Sequence, residues 1–243
     1  MPSSFQPAYR KPFEFGSVLI GADPLPGISG IWTNSGGATP VGLYQDTACT
    51  IQAAGGDPVG GWKDERTGTI IATQSDADKR PIATVVGGKM VLVSDGVDDA
   101  MVTEVDLPNP FSLAVSGAVL SSSNSQRILQ SRDENRLITF NRFSNAVFLG
   151  VAVVGDTGTS PGSAPSVAVL TDAATASCFI NGVDRTDNPA VSANWGRIGI
   201  MGGGQNPFEV PDGYISGLFW KTGGVWTPTE RAAIEAFAVT INP

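Results

Sequence analysis

From Thr67 onward the chain is a succession of short β-prone runs broken by turn residues, and this spacing constrains the fold more than any other feature. The runs are Thr69 to Thr73, Lys89 to Val93, Met101 to Val105, Phe111 to Leu120, Arg127 to Gln130 and Arg136 to Phe140, then Ala146 to Val154, Ser166 to Leu170, Ala176 to Ile180, Arg197 to Met201 and Tyr214 to Lys221. Runs of this length, rich in Val, Ile, Thr and Phe, read as strands. The 30 Gly and 17 Pro suit tight turns between them rather than long helices. A chain of 243 residues is within the range that all-β sandwiches reach as one unit, so one large domain is expected. The fold class is all-β.

Three segments predict local detail. In Phe111-Ser-Leu-Ala-Val-Ser116, Phe111, Leu113 and Val115 point one way while Ser112, Ala114 and Ser116 point the other, the pattern of a half-buried antiparallel strand. Ala146 to Val154 is apolar on both faces, as expected of one strand in the middle of a sandwich. Asn181-Gly182, directly after Cys178-Phe179-Ile180, marks a hairpin turn. One helix closes the chain: Thr227-Pro228-Thr229-Glu230 supplies a capping Thr, a Pro at the first helical position and a Glu at the third. Its apolar stripe is Ala233, Ile234, Phe237 and Ile241, and its expected place is the sandwich edge.

The opening of the chain differs. Residues 1–17 set Phe5, Tyr9, Phe13 and Phe15 among Pro2, Pro7 and Pro12, which predicts an extended arm preceding a domain over 18–243. Gly21 to Gly61 reads as mostly irregular loop with short strands. No repeat, heptad or collagen-like period is present, so no fibre shaft is encoded.

Charge and composition exclude several functions. With 15 Lys plus Arg against 23 Asp plus Glu, the formal charge is -8 and no basic stripe offsets it, so nucleic-acid binding is discarded. Ala146 to Val154, the longest apolar run, is too short to span a bilayer, and the start lacks a secretion pattern, so no membrane insertion and no export by that route are expected. Cys49 and Cys178 lack metal-ligand spacing and are expected to be buried free thiols.

Histidine is absent, which removes Ser-His-Asp and Cys-His nucleophile systems and most zinc sites. The one near match to a glycosidase carboxylate pair is Glu104-Val-Asp106, followed by Leu107-Pro108 where a further acid would be wanted, so it reads as a strand end. Asp95-Gly-Val-Asp-Asp99 offers oxygen ligands for calcium, but without a calcium-loop spacing it reads as a turn whose Asp side chains bond nearby amides. Asn181-Gly-Val-Asp184 reads the same way, and Gly202-Gly-Gly-Gln205 reads as a loop rather than a phosphate cradle. Trp32, Trp62, Trp195, Trp220 and Trp226 have faces that suit a sugar ring, with Trp62 and Trp220 the foremost candidates, though most are expected in the core. No catalytic, metal or cofactor residue is assigned.

The stretch from Trp32 to Asp99 resembles concanavalin A-like, LamG-like domains of phage and prophage structural proteins. The ordered pieces are Tyr44-Gln-Asp-Thr-Ala, Gly56-Asp-Pro-Val-Gly-Gly-Trp-Lys-Asp64, Ala72-Thr-Gln, Arg80-Pro81 and Asp95-Gly-Val-Asp-Asp99. Phe179-Ile-Asn-Gly182, the strand from Gly213 to Trp220 and the helix after Thr227 are similar to the second half of that family. Two places depart from it: Glu65 to Ile71 replaces a Ser-Gly-Asn-Gly-Asn turn, and Ser94 replaces an aromatic before Asp-Gly, so no ligand contact of that turn is carried over. The resemblance implies a two-sheet antiparallel β-sandwich, a concanavalin A-like jelly roll with one short C-terminal helix. It further implies a non-catalytic virion structural protein, a capsid-decorating or other surface accessory head assembled in the host cytoplasm. Expected partners are other virion proteins, capsid or tail, engaged through the arm, copies of the same chain on the particle, and carbohydrate. The alternative is a glycan-binding receptor domain of a tail fibre or cell-surface adhesin; a glycoside hydrolase ranks third.

Overall fold

The computed structural model describes residues 25, 28–33, 42–64, 67–120, 127–132, 136–139, 146–149, 152–156, 165–187, 194–202 and 210–243. The 1–17 arm and Gly203 to Gln205 lie outside them, as does the side chain of Trp32. In chain order the elements are β1 (Gly30–Thr33), β2 (Leu43–Tyr44), β3 (Gly61–Lys63), β4 (Ile70–Thr73), β5 (Ile82–Val86), β6 (Lys89–Asp95), β7 (Met101–Leu107), β8 (Phe111–Val119) and β9 (Arg127–Ser131). There follow β10 (Arg136–Thr139), β11 (Ala146–Leu149), β12 (Ala152–Asp156), β13 (Ser166–Asp172), β14 (Ala176–Ile180), β15 (Val183–Asp184), β16 (Gly196–Ile200), β17 (Asp212–Thr222) and α1 (Pro228–Ile241).

They form two antiparallel sheets. Sheet A runs β15-β14-β13-β8-β17-β6-β5, with β1 also paired to β17, and sheet B runs β12-β11-β10-β9-β16-β7-β4-β3-β2. The 11-residue β17 is the spine of sheet A: β8 pairs along its length, while β6 takes its first half and β1 its second. One apolar core lies between the sheets, with Trp62, Met101, Ile198 and Trp195 from one side meeting Phe111, Leu113, Leu92, Leu170 and Leu218 from the other. The expected sandwich with a C-terminal helix is therefore the observed fold.

Three local expectations need correction. Ala146 to Val154 is not one strand but the hairpin β11–β12, paired Ala146 to Asp156 and Leu149 to Ala152; Gly150, flanked by apolar residues on both sides, leaves periodicity no way to mark the reversal. The helix lies not on the edge but across the outer face of sheet A, against β13, β17 and β8. For the same reason β8 is not half-buried: every residue from Phe111 to Val119 is buried. Its outward Ala114 packs under α1 with Val167, Val169, Phe219, Trp226, Ile234, Ala238 and Ile241. Its outward Ser112 hydroxyl accepts the Trp226 amide at 2.9 Å. The approach is close because β17 carries Gly217 there, where a Cβ would sit 2.5 Å from Ile241 Cδ1.

Both helix ends are fixed. Thr227 Oγ1 accepts the Glu230 amide at 3.2 Å, and Glu230 Oε2 accepts the Thr227 amide at 2.7 Å, the capping box read from the sequence. At the other end Lys89 Nζ donates to the Thr240 and Asn242 carbonyls, placing a cation where the helix dipole favours one. No helix among the described residues is long and apolar enough to cross a membrane.

Candidate ligand-binding face

α1 covers the outer face of β8, β13 and β17 in sheet A; on the outer face of sheet B, Glu104, Asp106 and Arg132 are exposed and Arg197 half-exposed, while Gln130, on the same face of β9 as Arg132, is buried. The central strands of sheet B, β9, β16 and β7, lie side by side. Alternation along β7 sends Met101, Thr103 and Leu107 inward and leaves Glu104 and Asp106 exposed. Register pairs Arg197 with Asp106 and Gly199 with Val102, so between these pairs one residue of β16, Ile198, faces three of β7, and Glu104 falls within that bulge. The Thr103 hydroxyl plugs it, accepting the Ile198 amide and donating to the Val105 carbonyl, both at 3.3 Å. Bulges re-aim side chains. Here the Glu104 side chain stands 83% exposed, with Oε1 3.7 Å from Arg132 and Oε2 3.6 Å from Arg197.

The two arginines meet across β9 and β16, where the Arg132 amide donates to the Arg197 carbonyl at 2.8 Å, and their side chains are 41% and 35% exposed. Like charges opposite one another on neighbouring strands are unfavourable, and Glu104 relieves this pair. The face thus offers two guanidinium donors and two carboxylate acceptors on a rigid sheet. Both Glu104 oxygens already face cations, and the pair weighed from sequence, Glu104 and Asp106, is on one face, with Arg197 the register partner of Asp106. Arg132 and Arg197 were missed, because nothing local in sequence links them to Glu104.

The Asp95 to Asp99 turn follows β6. Asp99 Oδ2 accepts the Asp95 amide at 3.0 Å and Asp95 Oδ1 accepts the Val97 amide at 2.8 Å, the self-bonded geometry expected of it. Carboxylate oxygens of Asp95, Asp98 and Asp99 all lie within 4.8 Å of one another. Burial, with the Asp95 and Asp98 charges adding to it and the Asp95 amide opposing it, pushes the Asp99 carboxyl up to about 6. The second acidic turn is a hairpin joining β14 and β15: Asn181 and Gly182 both take positive φ, and Asp184 Oδ1 accepts the Thr186 amide at 2.9 Å.

The four tryptophan candidates whose side chains are described are buried. Trp62 and Trp195 are fully buried between the sheets, Trp220 is 5% exposed in the same core, and Trp226 is 4% exposed beneath α1. Trp226 does line a cavity of about 180 Å³ with Thr171, Ser177, Phe179, Pro228 and Arg231. There the Arg231 guanidinium lies 3.5 Å above the Phe179 ring and pairs with Glu235 at 3.3 Å. Cys49 and Cys178 are both buried, and no disulfide joins them.

The residues that carry the sequence resemblance brace loops. Asp46 accepts the Thr50 and Ile51 amides, Asp57 accepts Gln45 Nε2 and the Ala54 amide, and Asp64 accepts the Thr67 amide. Arg80 ties the carbonyls of Gln74, Gln45 and Ser75 together. A Cβ on Gly60 would come within 2.5 Å of the Gln45 carbonyl oxygen and 2.9 Å of that guanidinium.

No protein-family profile and no curated protein matches the chain. Solved structures do. Trypanosoma rangeli sialidase in complex with sialic acid aligns with a TM-score of 0.57 at 13% identity over 89% of this chain and 34% of that one. The covalent-intermediate complex of the same sialidase, with 2,3-difluorosialic acid, gives 0.54 at 14% identity over 86% and 33%. Domain 4 of a Geobacillus stearothermophilus extracellular arabinanase, in complex with arabinotriose, gives 0.43 at 13% identity over 60% and 81%. The chain spans about a third of the length of the sialidases it matches. At such identities the likeness establishes the β-sandwich fold.

Proposed function

We propose that this chain is a non-catalytic binding head that contacts saccharide through the charged patch on the outer face of sheet B and is carried on a phage particle as a capsid-decorating or other surface accessory protein. The observation that carries the binding reading is the cluster of accessible charged groups on one patch of sheet B, where Glu104, Asp106, Arg132 and Arg197 stand together. Such a set matches a sugar, whose hydroxyls both donate to carboxylates and accept from guanidiniums. The phage assignment rests on the sequence resemblance between Trp32 and Asp99. Glycan display with the wild-type chain and with Arg197→Ala tests the binding reading; loss of the wild-type signal in the variant is expected, and an empty array refutes it. Incubation with bacterial polysaccharides is expected to release no reducing sugar, and turnover abolished by Glu104→Ala or Asp106→Ala overturns the non-catalytic reading.

Attachment is assigned to the arm. Its Arg10 and Lys11 against Glu14 give +1, leaving 13 basic and 22 acidic residues on the remainder. Aromatics spaced by prolines offer preorganised anchors to grooves on a neighbouring subunit. A chain lacking residues 1–15 is expected to keep a cooperative melt near the full-length value yet fail to bind particles stripped of the native protein, as read by electron microscopy. Undiminished decoration by the truncated chain refutes this mode of attachment.

A further inference from the structure

We infer that the slot between Arg132 and Arg197 recognises a sugar carboxylate, so that the ligand of this charged patch is an acidic saccharide; this rests on the reading of that patch as a saccharide-binding surface. Two arginines opposed on adjacent strands are a costly arrangement for the fold, and the group between them is already a carboxylate. Glu104 holds that place loosely. Its oxygens stand 3.6 and 3.7 Å from the guanidinium nitrogens, beyond hydrogen-bonding distance, on a side chain 83% exposed. A ligand carboxylate entering from solvent is free of that tether, and at roughly 2.7–2.9 Å it gains charge-assisted hydrogen bonds that Glu104 does not make.

Glu104 therefore acts as an internal competitor. It holds the two guanidiniums apart and oriented, and it swings aside on its exposed stem when an external carboxylate arrives. Among the described residues, Asp106, the register partner of Arg197, adds a second anion to this patch. The fit is local, since the chain as a whole carries -8 and repels anions at long range.

The test uses the full chain with tetragalacturonate and its methyl ester, which share ring and linkage and differ in charge, titrated by calorimetry at low salt. The wild-type chain is expected to bind the acid at least about tenfold more tightly than the ester, and Arg132→Gln and Arg197→Gln are each expected to cost about tenfold. Glu104→Gln is expected to tighten binding about three- to tenfold, the opposite of what a direct ligand contact would give. The three sites are exposed, and a melting curve on each variant confirms that it folds. Equal affinity for acid and ester, or weaker binding by Glu104→Gln, overturns the carboxylate assignment and leaves the saccharide reading standing. If neither oligosaccharide binds while a neutral glycan on the array does, the carboxylate assignment alone falls; if the array is empty too, both fall.

Discussion

Asn242→Ala is expected to lower the melting temperature by about 4–8 °C, although residue 242 is one from the end of the chain. Asn242 Oδ1 accepts from the Ser116 and Ser216 hydroxyls, each at 2.6 Å, and both serines are fully buried on the outer face of sheet A. The two hydroxyl oxygens lie 3.1 Å apart, and Ser116 Oγ is 3.3 Å from the Ala238 carbonyl, a more distant alternative acceptor for its single proton. Removing the shared acceptor leaves hydroxyls with poorer geometry in a dry site, a cost of about 2 kcal/mol. The loss should be non-additive. In a Ser116→Ala and Ser216→Ala background, Asn242→Ala is expected to cost far less, because no buried donor remains to be orphaned. Equal losses in the two backgrounds, read from urea midpoints at unchanged m-value, would show that the network is not what holds the helix end. Lys89, anchored on the Thr240 and Asn242 carbonyls, clamps the same turn. Release of α1 would uncover Ala114, Val167, Val169 and Phe219, so aggregation on heating should begin earlier in the variant.

The same serines show how far the sequence carries. Period-two alternation correctly sends Phe111, Leu113 and Val115 to the inner core and Ser112, Ala114 and Ser116 to the other face. It mistakes that other face for a wet one, because small polar residues beneath a helix and small polar residues facing water have the same pattern. The stripe and capping box of α1 are legible in sequence; the surface it covers is set by Gly217 lying under Ile241 and by Ser112 meeting the Trp226 amide, a contact across 114 residues. The motif set between Tyr44 and Arg80 marks the fold because it braces loops through Asp46, Asp57, Asp64 and Arg80, and for the same reason it says little about ligand.

For the site, Glu104 and Asp106 stand out locally as acids at alternate positions. Their meaning changes once Arg132 and Arg197 are set beside them by the order β9, β16, β7. Neither arginine follows a motif, and the bulge that turns Glu104 toward them depends on two extra residues of β7 opposite β16. Register of that kind is a property of pairing, not of either strand alone.

The other large effect is expected at Asp99, with a sign opposite to that of Asn242. Its carboxyl is raised from 3.8 to about 6, chiefly by burial and then by the Asp95 and Asp98 charges, so the folded chain holds that proton more tightly than the unfolded one. Stability from the protonated form is fully present below about pH 4 and is lost as pH rises through 6, where the ionised group is carried at a cost. The gap of about two units corresponds to at most about 3 kcal/mol. The exposed neighbours Asp95 and Asp98 keep the turn wet, so about 1–2 kcal/mol is expected. Asp99→Asn keeps an oxygen to accept the Asp95 amide and removes the charge. The variant should therefore melt about 2–6 °C higher than the wild type at pH 7.5, and the difference should vanish toward pH 4. A bound cation would reverse the sign. If the three carboxylates hold calcium, chelator lowers the wild-type melt by several degrees and Asp99→Asn destabilises at neutral pH. A chelator-insensitive wild type with a more stable variant is the result that a turn held by its own amides requires.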